Sequence, residues 1–257
     1  MIGAAEWEKY EHRLAGVVPK ERFARLSFPR PRPEVLSVLK GIEDPTPTVS
    51  DILDQLGIAG TVPATILHPI CAGKVVVGPA LTIRYVAEPL VPRQAMLNSA
   101  KAQLGDKDAY AIAEPGDVVV FDNSGREDIS TMGGLSTHYA LKAGVAGCIV
   151  DGGVRDVGLM RSVGFGVWSR GITPITGKLR VATLEINGPV QCADVSVKPG
   201  DLVVADDNGV CFIPAERLDE VVAMVLEAAK TEEMLMQAIS GGGSMDNLRS
   251  ILPPEKW

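Results

Sequence analysis

Short apolar runs broken by glycine and proline dominate the chain from residue 74 onward, with helix-period segments before and after them. Lys74 to Val77 and Ala80 to Glu88, parted by Gly78-Pro79, predict strands. A helical region follows over Gln94 to Leu104. The turn Ala113-Glu114-Pro115-Gly116 then introduces a strand over Asp117 to Phe121, apolar enough to be covered on both faces. Pro199-Gly200-Asp201 repeats that turn-then-strand pattern, and turn chemistry suffices to explain the two copies. A helix over Gly134 to Ala143, a buried strand over Val145 to Val150 and a helix after Arg155 make a β/α alternation. Beyond Gly166 the pattern is all strand: Val181 to Ile186, Val190 to Cys192, Val195 to Val197, Leu202 to Ala205 and Val210 to Ile213. Pro214 opens the last long helix, whose apolar face is Val221, Val222, Met224, Val225 and Ala228.

The first 47 residues read as an extension. A short helix over Ala5 to Leu14 precedes Pro29, Pro31 and Pro33, which enforce extended backbone before a helical piece at Glu34 to Lys40. Thr48 is a good N-cap for a helix from Val49 to Leu56 ended by Gly57, and it places Ser50 and Asp51 in the first turn. The helix dipole accounts for a carboxylate there, so capping competes with a site role for Asp51. The organisation expected is an extension (residues 1–47), an α/β domain (48–240) and a tail (241–257).

Composition narrows the function. Hydrophobic residues at 46% and charged residues at 22% are those of a globular protein. A net charge of −7 without a lysine-arginine cluster argues against a nucleic-acid surface. No uncharged apolar run approaches membrane-spanning length, and the charged N-terminus lacks a secretory core, so the expectation is a cytoplasmic protein. Cys71, Cys148, Cys192 and Cys211 lack CxxC spacing and predict buried, reduced thiols.

The candidate chemistry lies between Thr131 and Asp156. Gly133-Gly134 opens a helix, and a helix N-terminus with glycines offers free N–H groups to a carboxylate or phosphate at Gly133 to Ser136. Arg155 adds a fixed fork of donors, and Asp156 a carboxylate for a hard divalent cation. Together they suit a small 2-oxo acid chelated to a metal. The competing reading makes the glycines ordinary turn residues and Arg155-Asp156 a surface pair that starts a helix.

Gly134, twenty residues, then Arg155-Asp156, within GGL…AGVAGCIVDGGVRDV, resembles the signature of the RraA-like family. Further matches run in order through Thr48 to Asp51, Gly78 to Thr82, Pro115 to Val119, Arg170 to Pro174, and Pro199-Gly200-Asp201 to Val210. The family contains the regulator of ribonuclease E activity A and divalent-metal aldolases for 4-hydroxy-4-methyl-2-oxoglutarate and 4-carboxy-4-hydroxy-2-oxoadipate, which also decarboxylate oxaloacetate. The resemblance implies a layered α/β/β/α sandwich with a swivelling β/β/α core, assembled as a homotrimer or hexamer with the site at a subunit boundary.

It also implies roles. Asp156 matches the metal ligand for Mg²⁺ or Mn²⁺, Arg155 the arginine on the keto oxygen, and the amides of Gly134, Leu135 and Ser136 the loop that takes the pyruvyl carboxylate. Glu232 or Glu233 falls where a neighbouring subunit's glutamate reaches the metal's water shell. Met234 and Met236 read as packing, and the tail helix with its Gly241 to Ser244 break as the contact to the neighbour. No Schiff-base lysine is required, and Lys142 fits as a solvated residue in the last turn of its helix. The aldolases carry an aspartate where this chain has Gly134, and that side chain orients the water that moves protons. Retro-aldol cleavage needs such a base, whereas decarboxylation of a β-keto acid needs mainly enolate stabilisation. His138, one turn after Gly134, and Asp151, at a strand end, are the candidate substitutes, against packing for the histidine and turn capping for the aspartate. A non-catalytic protein-binding regulator, or a lyase or hydratase on another sugar-acid-derived 2-oxo acid, is the alternative function.

Overall fold

The computed structural model describes residues 2–253, so the last four residues of the tail lie outside the described residues. Among the described residues eleven strands run in chain order: β1 (Thr61–Pro63), β2 (His68–Pro69), β3 (Val76–Ala87), β4 (Val118–Met132), β5 (Gly147–Val154), β6 (Gly166–Ile172), β7 (Val181–Ile186), β8 (Val190–Cys192), β9 (Val195–Val197), β10 (Leu202–Asp206) and β11 (Gly209–Ile213). The helices are α1 (Ala4–Glu11), α2 (Pro33–Lys40), α3 (Pro45–Gln55), α4 (Pro92–Leu97), α5 (Asp106–Ile112), α6 (Gly134–Lys142), α7 (Val157–Val163), α8 (Leu218–Ser240) and α9 (Met245–Ile251).

The long strand β3 belongs to two sheets. Its first residues pair antiparallel with β10, which continues to β11 and β1. Its later residues pair parallel with β4 and antiparallel with β7, and from β4 the parallel order continues to β5 and β6. Three apolar clusters define the layers. Val120, Ile149, Trp168, Val203 and Phe212 fill the space between the two sheets. Val77, Val204, Cys211 and Ile213 face Val49, Leu53, Val221 and Val225 of the helices α3 and α8. Ile83, Phe121 and Val150 face Tyr110, Ala140 and Met160 of α5, α6 and α7. The protein is therefore an α/β/β/α sandwich, the expected fold class.

The extension is part of this fold. Phe23, Leu26 and Phe28 are buried in the cluster under the second sheet, and Arg30 grips the buried Asp117 with two N–H groups at 3.1 and 2.8 Å. Burial raises the Asp117 carboxyl against the pull of that arginine. Among the described residues no helix is long and apolar enough to cross a membrane. The four cysteines are free and buried, and burial pushes the Cys211 thiol up to about 12.

Three expectations are corrected. The helix expected from Thr48 begins at Pro45, with Asp44 as its N-cap, because proline suits the first helical turn. Asp51 is consequently mid-helix and exposed. The helix expected over Gln94 to Leu104 stops at Leu97 and is followed by the separate α5, with Ser99 in the left-handed region between them. The strand expected to end at Phe121 runs to Met132 through a series of register shifts against β5. That extra length carries the chain to the candidate site.

Asp206 holds the end of β10 to α3. Its carboxylate accepts the Thr46 N–H at 2.9 Å, the Thr46 hydroxyl at 2.6 Å and the Asn208 N–H at 2.8 Å, while its carbonyl accepts the Trp168 indole N–H at 2.8 Å. Truncation leaves two buried donors, the Thr46 N–H and hydroxyl, without a partner, each costing about 1–3 kcal/mol. Asp206→Ala is expected to lower unfolding free energy by about 3 kcal/mol or more, read by chemical denaturation with tryptophan emission. An unchanged midpoint would show that this carboxylate is not the tie it looks to be.

Candidate functional site

The site forms where β4 and β5 end. All eight residues of β5 are buried, and its last third passes beneath the bulged arm of β4 only because it is glycine. A Cβ on Gly153 would lie 2.6 Å from the Ile129 carbonyl oxygen and 2.8 Å from that of Glu127. The strand therefore delivers Arg155 beside the end of β4, where its N–H donates to the Met132 carbonyl at 3.0 Å.

Asp156 then turns the chain. Its backbone is left-handed (φ 56°, ψ 34°), a conformation uncommon for a residue with a Cβ, and it serves as N-cap of α7. Its carboxylate crosses to the other helix: Oδ2 accepts the Gly134 N–H at 2.7 Å, so one aspartate answers the positive end of α6. Gly133 makes the approach possible. A Cβ there would sit 2.8 Å from Asp156 Oδ2 and 3.0 Å from both Cγ and Nε of Arg155. Arg155 Nε lies 3.8 Å from the same carboxylate oxygen, and the two side chains are 38% and 51% exposed. The pair is loose and open to solvent.

The structure brings together Gly134, Arg155 and Asp156, and it changes the expected part of the loop. The Gly134 amide, expected to take a substrate carboxylate, is spent on Asp156. The next two amides, of Leu135 and Ser136, have no acceptor among the described residues. Leu135 is exposed, whereas Ser136 is buried with its hydroxyl 2.9 Å from the phenol of Tyr110 on α5. Burial raises the Tyr110 phenol well above its usual range, so it stays protonated and pins the first turn of α6. No sequence spacing links Tyr110 to this helix.

The other candidates are dispersed. His138 lies on α6 one turn beyond Gly134 and is exposed rather than packed, which corrects the packing reading. Asp151 is buried and paired with Arg170 in a different cleft, beside Asp122 and Arg84, so a turn-capping role is also corrected. Glu232 and Glu233 are on α8, in the outer layer opposite α6 and α7, so within one chain they do not approach Asp156. Lys142 is exposed in the last turn of α6. Sequence reading passed over Arg84, Asp122 and Arg170; the signal was a charged residue inside the run that became β3 and at the end of those that became β4 and β6.

Among the described residues no group of three or more His, Cys, Asp or Glu side chains converges. Asp156 offers one oxygen, Oδ1, that no donor among the described residues reaches. A single exposed carboxylate suits a hard ion that keeps most of its ligands as water and substrate oxygen, as Mg²⁺ does.

The family model described as "RraA-like: Aldolase/RraA" matches residues 46–212, from α3 through β11. The chain belongs to the RraA-like family. The match ends before α8, so Glu232 and Glu233 lie beyond it. A protein of Halalkalibacterium halodurans that carries the provisional name 4-hydroxy-4-methyl-2-oxoglutarate aldolase is 31% identical over 208 residues, 80% of this chain and 88% of its own. Protein DlpA of Legionella pneumophila is 35% identical over 201 residues, 78% of this chain, which spans only 31% of that protein's length. Among solved structures, an uncharacterized protein from Pseudomonas syringae matches with TM-score 0.72 and 27% identity over 86% of this chain and all of its own. RraAS2 of Streptomyces coelicolor, described as an unusual member of the RNase ES inhibitor RraA protein family, matches with TM-score 0.66 and 26% identity, over 81% and 98%. Both carry the fold described above.

In this RraA-like chain the Asp156 cap and its left-handed backbone act oppositely on stability. Asp156→Ala loses the cap and keeps the unfavourable backbone, whereas Asp156→Gly loses the cap and relaxes it. Alanine is expected to be less stable than glycine by about 1 kcal/mol in urea denaturation. Equal midpoints would show that the left-handed turn carries no cost.

Proposed function

We propose that this RraA-like chain is a divalent-metal-dependent lyase on small 2-oxo acids, with decarboxylation of an oxaloacetate-type β-keto acid its principal reaction and aldol cleavage a weaker one. The observation that supports it is the convergence of the Arg155 guanidinium, the Asp156 carboxylate and the Leu135 and Ser136 amides, which have no acceptor among the described residues, at one helix N-terminus.

Each group has a task. The Leu135 and Ser136 amides bind the 2-oxo acid's carboxylate, in the field of the helix dipole. Asp156 would hold Mg²⁺ or Mn²⁺, and the ion would supply positive charge against the developing enolate. The Arg155 guanidinium aims at the keto oxygen and stabilises the charge that gathers there. When the bond from C3 to the β-carboxylate breaks, carbon dioxide leaves and the electron pair moves into the 2-oxo group, giving the pyruvate enolate. A proton from solvent at C3 completes pyruvate, so no side chain at position 134 is needed. Aldol cleavage also needs a base for the substrate hydroxyl, and Gly134 has none to give. His138 stands on that face as the exposed titratable alternative. A homotrimer or hexamer would bring Glu232 or Glu233 of a neighbour toward this site.

A second reading rests on the same glycine. A site without that carboxylate also suits a non-catalytic regulator, the inhibitor role in the name of the Streptomyces coelicolor relative's family. A regulator would bind its partner equally well as Asp156→Ala and would consume neither substrate.

Pyruvate release is expected from oxaloacetate with Mg²⁺ or Mn²⁺ and not after chelation. Arg155→Ala and Asp156→Ala should each lower kcat/KM by about 100-fold or more. Metal-independent turnover, or turnover that survives both substitutions, would refute the reading. The atoms nearest to a Cβ at position 134 are Leu159 Cδ2 at 3.2 Å and Asp156 Oδ2 at 3.4 Å and Cβ at 3.5 Å, so a Cβ there needs only a small shift of the Leu159 side chain. Gly134→Asp should therefore raise cleavage of 4-hydroxy-4-methyl-2-oxoglutarate relative to decarboxylation by about 100-fold, the usual scale of a general base. An unchanged ratio would show that position 134 does not set the reaction.

A further inference from the structure

A second polar cleft, of about 480 Å³, opens at the C-terminal ends of the parallel strands and shares no lining residue with the Arg155–Asp156 site. Where the regular parallel pairing stops, four adjacent strands carry charge at one level: Arg84 on β3 is level with Asp122 on β4, Asp122 with Asp151 on β5, and Arg170 on β6 reaches Asp151. They share the sheet face opposite Ile83, Phe121 and Val150. The β8–β9 hairpin forms the remaining wall, with Gln191 and Asp194. Crevices beyond the carboxyl ends of parallel strands are where open α/β sheets bind ligands. The volume lies in the roughly 300–1,000 Å³ range of small-molecule sites.

Half of this array is satisfied and half is not. Asp122 accepts the Ser124 N–H at 3.0 Å and the Gln191 N–H at 3.2 Å, and lies 3.5 Å from Arg84 Nε, while Arg84 also donates to the Pro189 carbonyl. Asp151 is only 4% exposed, yet only Oδ1 is bonded, to Arg170 Nε; no donor among the described residues reaches Oδ2. Neither terminal amino group of Arg170 has an acceptor among the described residues, nor does the Asp194 carboxylate have a donor. Asp151 Oδ2 and the two terminal amino groups of Arg170 therefore open into the cleft without a protein partner among the described residues, free to bond a ligand that enters it.

The charges choose the ligand. Three carboxylates against two guanidiniums disfavour a simple anion. The carboxylates are interleaved with arginines and do not converge as a metal site among the described residues. No aliphatic or aromatic side chain is among the residues that line the cleft, which excludes an apolar ligand. We propose that the cleft binds a small zwitterion, an α-amino acid, with its carboxylate on the fork of Arg170 and its ammonium between Asp151 Oδ2 and Asp194.

The test is calorimetric and thermal-shift titration of the full chain with the common L-amino acids, with acetate and methylamine as the separated halves and sorbitol as a neutral polyol. At least one amino acid is expected to saturate with a Kd of about 1 mM or tighter, and at least about 10-fold more tightly than either half. Asp194→Asn, at an exposed left-handed position that asparagine tolerates, should weaken it about 10-fold or more. Arg170→Lys should do likewise, and Asp156→Ala should not, which separates this cleft from the lyase site. Binding by no amino acid, tighter binding of sorbitol or of either half, or binding indifferent to both Asp194→Asn and Arg170→Lys would overturn the proposal.

Discussion

Everything in this molecule is hung on one strand that must serve two sheets. β3 pairs with β10 on its first residues and with β4 and β7 on its later ones, so its backbone is surrounded at the change-over, Gly78-Pro79-Ala80. A Cβ at Gly78 would collide with the Gly116 carbonyl. Two steps on, Ala80 exchanges bonds with the other turn, donating to the Asp201 carbonyl at 2.8 Å and accepting from the Gly200 N–H at 3.0 Å. The strands on either side of β3 thus each begin with the same Pro-Gly-Asp turn, and both turns abut the same three residues. Each turn closes through its aspartate: Asp117 on the Glu114 N–H and Asp201 on the Lys198 N–H, with glycine φ of 94° and 95°.

That arrangement fixes where chemistry can happen. With β3 held at the seam, β4, β5 and β6 run parallel to it and must end on one side. β5 is buried along its length, so the first residues free to meet solvent are those immediately beyond it, Arg155 and Asp156. β4 continues past its regular pairing to the start of α6, which sets the α6 N-terminus against Asp156. One residue then serves two helix N-termini, Asp156 giving its carboxylate to α6 and its backbone carbonyl to α7. The site is a consequence of strand lengths and of glycines that let strands cross closely.

Much of this is legible in the residues, because it depends on local chemistry. The short strands β7 to β11 coincide with apolar runs bounded by turn residues, and the β/α alternation around β5 follows from its periodicity. Layering followed from the resemblance, since no pattern within one run tells which sheet it joins. What escaped reading depends on non-local contacts. Thr48 is a plausible cap, but Pro45 and the carboxylate of Asp206, 160 residues from Thr46, set the helix start instead. Tyr110 bonds Ser136 and Asp151 bonds Arg170 because strands and helices distant in sequence are neighbours in space. The Pro-Gly-Asp turns read correctly as turn chemistry, and their shared partner in β3 was invisible.

The glycine at position 134 bears on the electrostatics as much as on proton transfer. An aspartate there would put a second carboxylate within reach of Asp156, whose Oδ2 is 3.4 Å from where that Cβ would be. Two such carboxylates share a proton more readily than either alone, which suits a site that must shuttle protons. With glycine, Asp156 is the one acid at the α6 N-terminus among the described residues, and its Oδ2 is already committed to a backbone N–H. Arg155 then stands 3.8 Å from a partner it does not grip, with most of its donors available to a substrate oxygen. The balance shifts from moving protons to holding negative charge. In the lyase proposed above, a reaction whose difficulty lies in an enolate, and whose proton can come from water, is the one this balance would serve.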